Sequence, residues 1–413
     1  MKISRDKVQT QMYNNGIMTF TDLAAEIGIT KNQLSNILSN NFDPLKATVR
    51  NLCECLNVDP IEIMDTKDES VHETREVHCD GITAIELFAG AGGIALGLEQ
   101  AGINTVEYVE FDKTCCQTLK SNRPDWNVVC DDIHNVDFTE FKGKVDLVTG
   151  GFPCQAFSYA GKKMGFEDTR GTLFYEFARC IKEVQPKMFW AENVRGLVSH
   201  DNGRTLETII SVFESLGYTV GDRKKVLNAC YYGVGQKRER IIIIGIRNDL
   251  TNTINFKYPE PDEKWTTLRE ALKDCPPSIG ETYSPKKKKV FAMVPPGGCW
   301  VDLPEEVAKD YMGKSYYSGG GKRGMARRIS WDEPCLTLTC SPSQKQTDRC
   351  HPDEVRPFTV REYARIQSFP DDWAFCGTVS EQYKQIGNAV PVELAKRVSI
   401  QIKTALTTAV KNS

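Results

Sequence analysis

Residues Gly150-Gly151-Phe152-Pro153-Cys154-Gln155 set a cysteine directly after a proline in a glycine-rich turn. The preceding Asp146-Leu147-Val148 reads as a short apolar strand. The cysteine then falls at a strand's carboxyl end, where open α/β sheets place ligands and reactive groups. Pro153 fixes its own φ and biases Phe152 toward an extended conformation, so the next side chain is presented in one direction. The pattern predicts an aimed thiol, nucleophilic in its thiolate form. The competing reading is a buried small hydrophobe, since free cysteines are often buried and the chain holds 15.

Upstream lies a glycine cluster, Phe88-Ala-Gly90-Ala-Gly92-Gly93, between a predicted strand and a predicted helix start. Glycines let backbone approach a ligand closely, and helix N-terminal N–H groups favour negative charge. The cluster is not the G-x-G-x-x-G dinucleotide form. The next strand ends in Val109-Glu110-Phe111-Asp112, a carboxylate about twenty residues on, where a ribose hydroxyl would be held. Asp131-Asp132-Ile133, after a third strand, is placed to hold an adenine amino group. A nucleotide-type cofactor beside a thiol is the expectation.

Short apolar strands alternate with amphipathic stretches from Ile82 onward: Ile82 to Phe88, Thr105 to Val109, Val128-Val129, Val145 to Val148, Met188 to Trp190 and Ile241 to Ile244. This alternation predicts a doubly wound, mostly parallel α/β sheet with helices on both faces. It stops near Leu250. Pro, Gly, Lys and Tyr then dominate, which predicts an insert of turns and short strands, and helical periodicity returns at Thr359 to Gln367 and Val392 to Thr404. The expected domains are 1–66, a linker at 67–80, a catalytic part at 81–250, an insert at 251–355, and 356–413 completing the catalytic part.

With 413 residues, two or three domains are expected. No stretch of about 18 apolar residues exists, and the first residues lead into polar sequence rather than an apolar export segment. A cytoplasmic, nucleoid-associated protein without membrane contact is expected, with cysteines reduced. Cys53-x-Cys55 and Cys340…Cys350-His351 supply no four-ligand set, so no metal is expected. The net charge of −3 means that nucleic-acid binding would rest on local patches.

Within residues 1–66, Asp22 to Leu38 reads as helix, glycine-containing turn, helix, with Thr30 as N-cap of the second. The segment resembles the repressor-type helix-turn-helix family. That resemblance puts Lys31, Asn32, Gln33 and Ser35 at the start of a recognition helix, suited to phosphates and base edges. A helical docking module is the alternative.

Six blocks carry a second resemblance: Phe88 to Gly93, Gly151 to Ser158, Glu192-Asn193-Val194, Gln236 to Arg240, Arg356 to Arg365 and Gly387 to Val390. Their order and spacing resemble the cytosine-C5 DNA methyltransferases, over about 330 residues. The resemblance implies double-stranded DNA as partner and S-adenosylmethionine as cofactor. Carbon 5 of cytosine is a poor nucleophile, so a thiolate must add to carbon 6 first, and Cys154 would be that nucleophile. Glu192 would hydrogen-bond or protonate ring nitrogen 3, against the reading of a helix-capping carboxylate. Arg238 and Arg240, alternating on one predicted strand, would contact the flipped base, Arg240 at oxygen 2. The cofactor would be held by Phe88, Gly90, Gly93, Glu110, Phe111, Asp132, Ile133, Pro153, Leu173, Asn388 and Ala389. Ser158 to Gly171 resembles the family's mobile loop. Glu86, where the family often has aspartate, and Ala160, where some members carry serine, are departures.

The insert at 251–355 falls where this family places its target-recognition domain. Lys286 to Lys289 are candidates for phosphate, or else a solvated run. Lys322, Arg323, Arg327, Arg328, Gln344 and Lys345 are candidates for base contacts, and arginines suggest a G·C-rich site. An RNA cytosine methyltransferase and a DNA-binding regulator with a vestigial catalytic part are the rival functions. The preferred reading is a modification enzyme whose helix-turn-helix also binds its own promoter.

Overall fold

A computed structural model describes residues 8–9, 11–12, 15, 17, 19–38, 53, 55–56, 58, 81–153, 173–317 and 325–411. Cys154, the loop 158–171, the expected linker 67–80, Lys322 and Arg323 lie outside the described residues. The chain divides into two compact units, Met1–Glu76 and Val77–Ser413.

In the first unit, α1 (Phe20–Glu26) and α2 (Lys31–Ile37) are joined through Gly28, whose φ of 75° is the left-handed conformation that glycine adopts without strain. Thr19 caps α1. Thr30 and Gln33 cap α2 reciprocally: Thr30 N–H donates to Gln33 Oε1 at 2.8 Å, and Gln33 N–H donates to Thr30 Oγ1 at 3.2 Å. Leu23, Ala24, Leu34, Ile37 and Leu38 close a core with Val8, Met12, Ile17, Cys53 and Leu56.

The second unit is built on an eight-stranded sheet of order β3-β2-β1-β4-β5-β9-β6, with β7 also paired to β9. Its strands are β1 (Thr83–Leu87), β2 (Asn104–Glu110), β3 (Val128–Cys130), β4 (Leu147–Gly150), β5 (Met188–Val194), β6 (Tyr218–Val220), β7 (Val226–Asn228) and β9 (Glu239–Arg247). β1 to β5 are parallel, as the alternation predicts. β9 runs antiparallel to β5, β6 and β7. Continuous apolar runs such as Ile241 to Ile244 do not encode direction, which is set by a short return through β6 and β7 rather than a crossover helix.

The helices α3 (Gly93–Ala101), α4 (Lys113–Asn122), α5 (Leu173–Val184) and α6 (Arg204–Ser215) connect the strands. One apolar layer joins β1, β4 and β5 to Phe174, Phe177, Ile181, Ile209 and Phe213. The opposite layer joins Trp190, Ile242 and Ile244 to Leu394, Val398 and Ile402 of the terminal helix Val392–Lys411. At about 25 cal/mol per Å² of apolar area, such layers dominate the folding energy. Gly97 lets α3 and the terminal helix touch, since a Cβ there would stand 2.5 Å from the Ala395 Cβ. No helix among the described residues is long and apolar enough to cross a membrane.

The insert is more helical than its composition suggests. α7 (Pro285–Ala292) starts at Ser284, whose hydroxyl accepts from Lys287 N–H, with Pro285 in the first turn, and α8 (Glu305–Met312) follows. Its strands are only two residues long: β10 (Arg327–Arg328) on β12 (Arg349–Cys350), and β11 (Cys335–Leu336) on β8 (Gln236–Lys237) of the catalytic part. α9 (Val360–Ile366) and α10 (Val379–Asn388) both begin with Thr/Glu capping boxes.

Candidate active site

The chain order reverses between β1 and β4, and the carboxyl ends of strands at such a switch point are where open α/β sheets take their ligands. Leu87 pairs with Gly150, and Gly150 pairs with Ala191, which sets the glycine loop, the Gly150–Pro153 turn and Glu192 side by side. Both expected motifs therefore meet at that switch point.

On the cofactor side the chain turns back at Phe88, Gly90 and Gly92, with φ of 57°, 54° and 90°. The turned backbone is pinned by a carboxylate. Glu110 accepts from Gly90 N–H and from Asp112 N–H, both at 2.7 Å. Burial pushes Glu110 above the usual carboxylate range, against the pull of those N–H groups. Phe111 is 72% exposed, an aromatic face available to a ligand. Asp132 caps a short 3₁₀ turn at Ile133 and accepts from His134 N–H and, through the same Oδ1, lies 2.5 Å from His134 Nδ1. Pro153 and Asn388 are exposed, and Leu173 is half-buried. Gly93, Ile133 and Ala389 are buried. Gly93 backs onto Val390, where a Cβ would stand 2.1 Å from the carbonyl oxygen, so only glycine fits there.

On the reactive side Glu192 lies within β5, opposite Ile242 of β9, which excludes a helix cap. Its Oε1 stands 2.7 Å from Arg240 Nε, and both side chains are about 10% exposed, at 10% and 11%. Burial raises the Glu192 pKa, opposed by Arg240 and Arg238. Oε2 faces the other way. A Cβ built on Gly151 would stand 2.7 Å from it, so the carboxylate is packed against the turn that leads to residue 154. Asn193, which sequence reading left without a role, donates from Nδ2 to Phe152 O at 2.9 Å and holds that turn from below. Its place in the Glu192-Asn193-Val194 block, directly after the candidate carboxylate, was the available signal.

The two arginines do not act alike. Arg238 lies between β8 and β9 rather than within one regular strand, and its guanidinium donates to Leu338 O at 3.2 Å and Gly387 O at 2.8 Å. Burial pushes its pKa down to about 9, with Arg240 adding to the shift. Arg238 thus ties the insert and α10 to the sheet, and Arg240 alone reaches Glu192. The expectation that both alternate along one regular strand does not hold, because the strand is interrupted at Arg238.

The pattern of the C-5 cytosine-specific DNA methylases matches residues 82–404. The chain belongs to that family. Residues 7–69 match the Cro/C1-type helix-turn-helix DNA-binding domain. The methylase is 52% identical over 420 residues to the Type II methyltransferase M.Sau96I of Staphylococcus aureus, covering 96% of this chain and 97% of that one. It is 60% identical over 320 residues to M.Eco47II of Escherichia coli, covering 76% of each. Among solved structures it resembles a putative DNA modification methyltransferase from an E. coli prophage (TM-score 0.58, 23% identity, 79% of this chain and all of that one). A DNMT2 of Spodoptera frugiperda is also similar in fold (TM-score 0.55, 17% identity, 80% of this chain and all of that one). The methylase is a DNA (cytosine-5-)-methyltransferase.

The expected DNA-contacting residues of the methylase divide by environment. Lys31, Asn32 and Ser35 are exposed on α2, whereas the Gln33 amide oxygen is occupied by the helix cap. Gln344 and Lys345 are exposed on a 3₁₀ turn. Arg327 is half-buried and donates to Gly297 O at 3.2 Å. Arg328 is buried and donates to Pro352 O, Val294 O and Asp353 O, so its guanidinium braces the insert. Among the described residues no cluster of His, Cys, Asp and Glu could hold a metal.

Proposed function

We propose that the protein is the modification enzyme of a type II restriction–modification system, acting on a cytosine extruded from double-stranded DNA. The target atom is unreachable inside a duplex, so extrusion must precede chemistry. In this reading the Cys154 thiolate adds to carbon 6, forming an S–C bond and moving electron density to carbon 5. Glu192 hydrogen-bonds or protonates ring nitrogen 3 as that charge develops, and Arg240 holds the carboxylate and meets oxygen 2. S-adenosylmethionine supplies a methyl group activated on a sulfonium. Carbon 5 would take that methyl as the sulfonium becomes a neutral thioether; water would then accept the carbon 5 proton, and the S–C bond would break with its electron pair returning to sulfur, restoring the ring double bond. Phe111 would stack on the adenine, Asp132 would meet its amino group and Glu110 the ribose, while Gly90 leaves room for close approach.

The observation that carries this reading is the buried Glu192–Arg240 pair packed against Gly151, beside the turn that leads to Cys154. A purely DNA-binding regulator has no use for a desolvated carboxylate at that place. The helix-turn-helix, through Lys31, Asn32 and Ser35, is proposed to bind the enzyme's own promoter. Arg327, Gln344 and Lys345, with Lys322 and Arg323, are proposed to contact the target site. Cys154→Ser should abolish methyl transfer while leaving cofactor binding intact. Full activity in that variant, or no covalent trapping by duplexes carrying 5-fluorocytosine, would refute the mechanism.

A further inference from the structure

The lysine run of α7 is divided by the fold. Lys286 pairs at the surface with Asp310 at 3.0 Å, and Lys288 and Lys289 are exposed. Lys287 turns inward. Its Nζ stands 2.6 Å from Asp348 Oδ1 and donates to Ser343 O at 2.7 Å, over the ring face of Tyr283 at 4.7 Å. The Asp348 side chain is wholly buried, and its Oδ2 accepts from the Tyr311 hydroxyl at 2.9 Å. Ser343 is held a second time through its hydroxyl, which donates to Glu281. Between Ser343 and Asp348 the chain is exposed at Gln344, Lys345 and Gln346, and Lys345 lies 5.1 Å over the Tyr311 ring. One half-buried ammonium thus bonds the segment where it leaves the protein and where it returns.

Burying an ion pair is costly, and apolar residues of the same volume are often as stable. What the ammonium adds is direction, because its donors bond two fixed acceptors at once. Burial pushes the Asp348 carboxyl up while Lys287 and the Tyr311 hydroxyl hold it down, so the charged partner and both hydrogen bonds keep the carboxylate in place.

We propose that Lys287 is a positioning residue for sequence recognition, clamping the 343–348 loop so that Gln344 and Lys345 meet base edges in one register. The proposal rests on the reading that these two side chains contact the target site. The test uses the full-length enzyme on a randomised duplex library read by bisulfite sequencing, with KM and kcat on the preferred site. Lys287→Met/Asp348→Leu removes both charges at similar volume. It should raise KM for DNA and relax the preference for the cognate over near-cognate sites, each by about tenfold, within the range of a single base contact. Its kcat at saturating DNA and its KM for S-adenosylmethionine should be unchanged. Tyr311→Phe, which removes one bond within a ring of the same size, should relax preference about threefold, and decides alone if the double variant does not fold. A folded variant with wild-type KM and site preference overturns the clamp. Gln344→Ala and Lys345→Ala form a separate arm. If both leave site choice unchanged, the base-contact reading fails, and the clamp with it.

Discussion

Adjacent glycines, Gly150 ending β4 and Gly151 opening the turn after it, are expected to fail in opposite ways when replaced by alanine. A Cβ on Gly151 would stand 2.7 Å from Glu192 Oε2, whereas its next neighbours are at 3.8 and 3.9 Å. Ordinary carbon–oxygen contact begins near 3.4 Å, so the carboxylate tip must retreat by about 0.7 Å. That tip is the far end of a side chain and can move, so stability should fall by less than about 1 kcal/mol. The retreat disturbs the carboxylate that sits 2.7 Å from Arg240. Displacements approaching 1 Å in a reacting group cost about 10²-fold in rate. Gly151→Ala should therefore lower kcat by about 10²-fold, with the KM for S-adenosylmethionine unchanged. A Cβ on Gly150 would instead meet the backbone carbonyl oxygen of Leu87 at 2.4 Å, inside the β1–β4 pairing. Backbone in a central strand cannot yield, so Gly150→Ala should destabilise by about 2–4 kcal/mol. Single-turnover methylation and thermal melting separate the two. Wild-type kcat in Gly151→Ala, or a wild-type melting temperature in Gly150→Ala, would refute the reasoning.

Two further outcomes follow from buried charge. Glu86 is 1% exposed in β1, and burial raises its pKa well above the ordinary value. The folded state therefore keeps a proton that the unfolded chain releases above about pH 4.5. Its stabilising contribution is full below that value and is lost as pH rises toward the folded pKa. Glu86→Gln should flatten the decline of melting temperature as pH rises above about 4.5, and an unchanged slope would count against a neutral buried carboxyl. Arg240→Met leaves the Glu192 carboxylate without its ion-pair partner in a desolvated site. Stability near pH 8 should drop by about 3–5 kcal/mol, less at pH 5, where the carboxyl can take up a proton. Equal losses at both pH values would argue against that pairing.

The six motif blocks, the glycine turn, the five parallel strands, the Thr30 cap of α2 and the helical periodicity of α9 were legible in the chain, because each is written in residues close together. Thr30 with Gln33 and Thr359 with Glu362 are three apart, and a strand followed by a glycine turn is one contiguous segment. What tertiary structure alone decided is which of several chemically identical side chains faces the site. Arg238 and Arg240 look equivalent in order, yet one is taken up by carbonyls 100 and 149 residues away while the other meets Glu192. Arg327 and Arg328, and the four lysines of α7, divide in the same manner. A guanidinium or ammonium finds its partner through whichever backbone the fold brings near, and that identity is absent from local spacing. The strand β9 shows the same limit, for its run of four isoleucines is equally at home in either direction until its neighbours are in place.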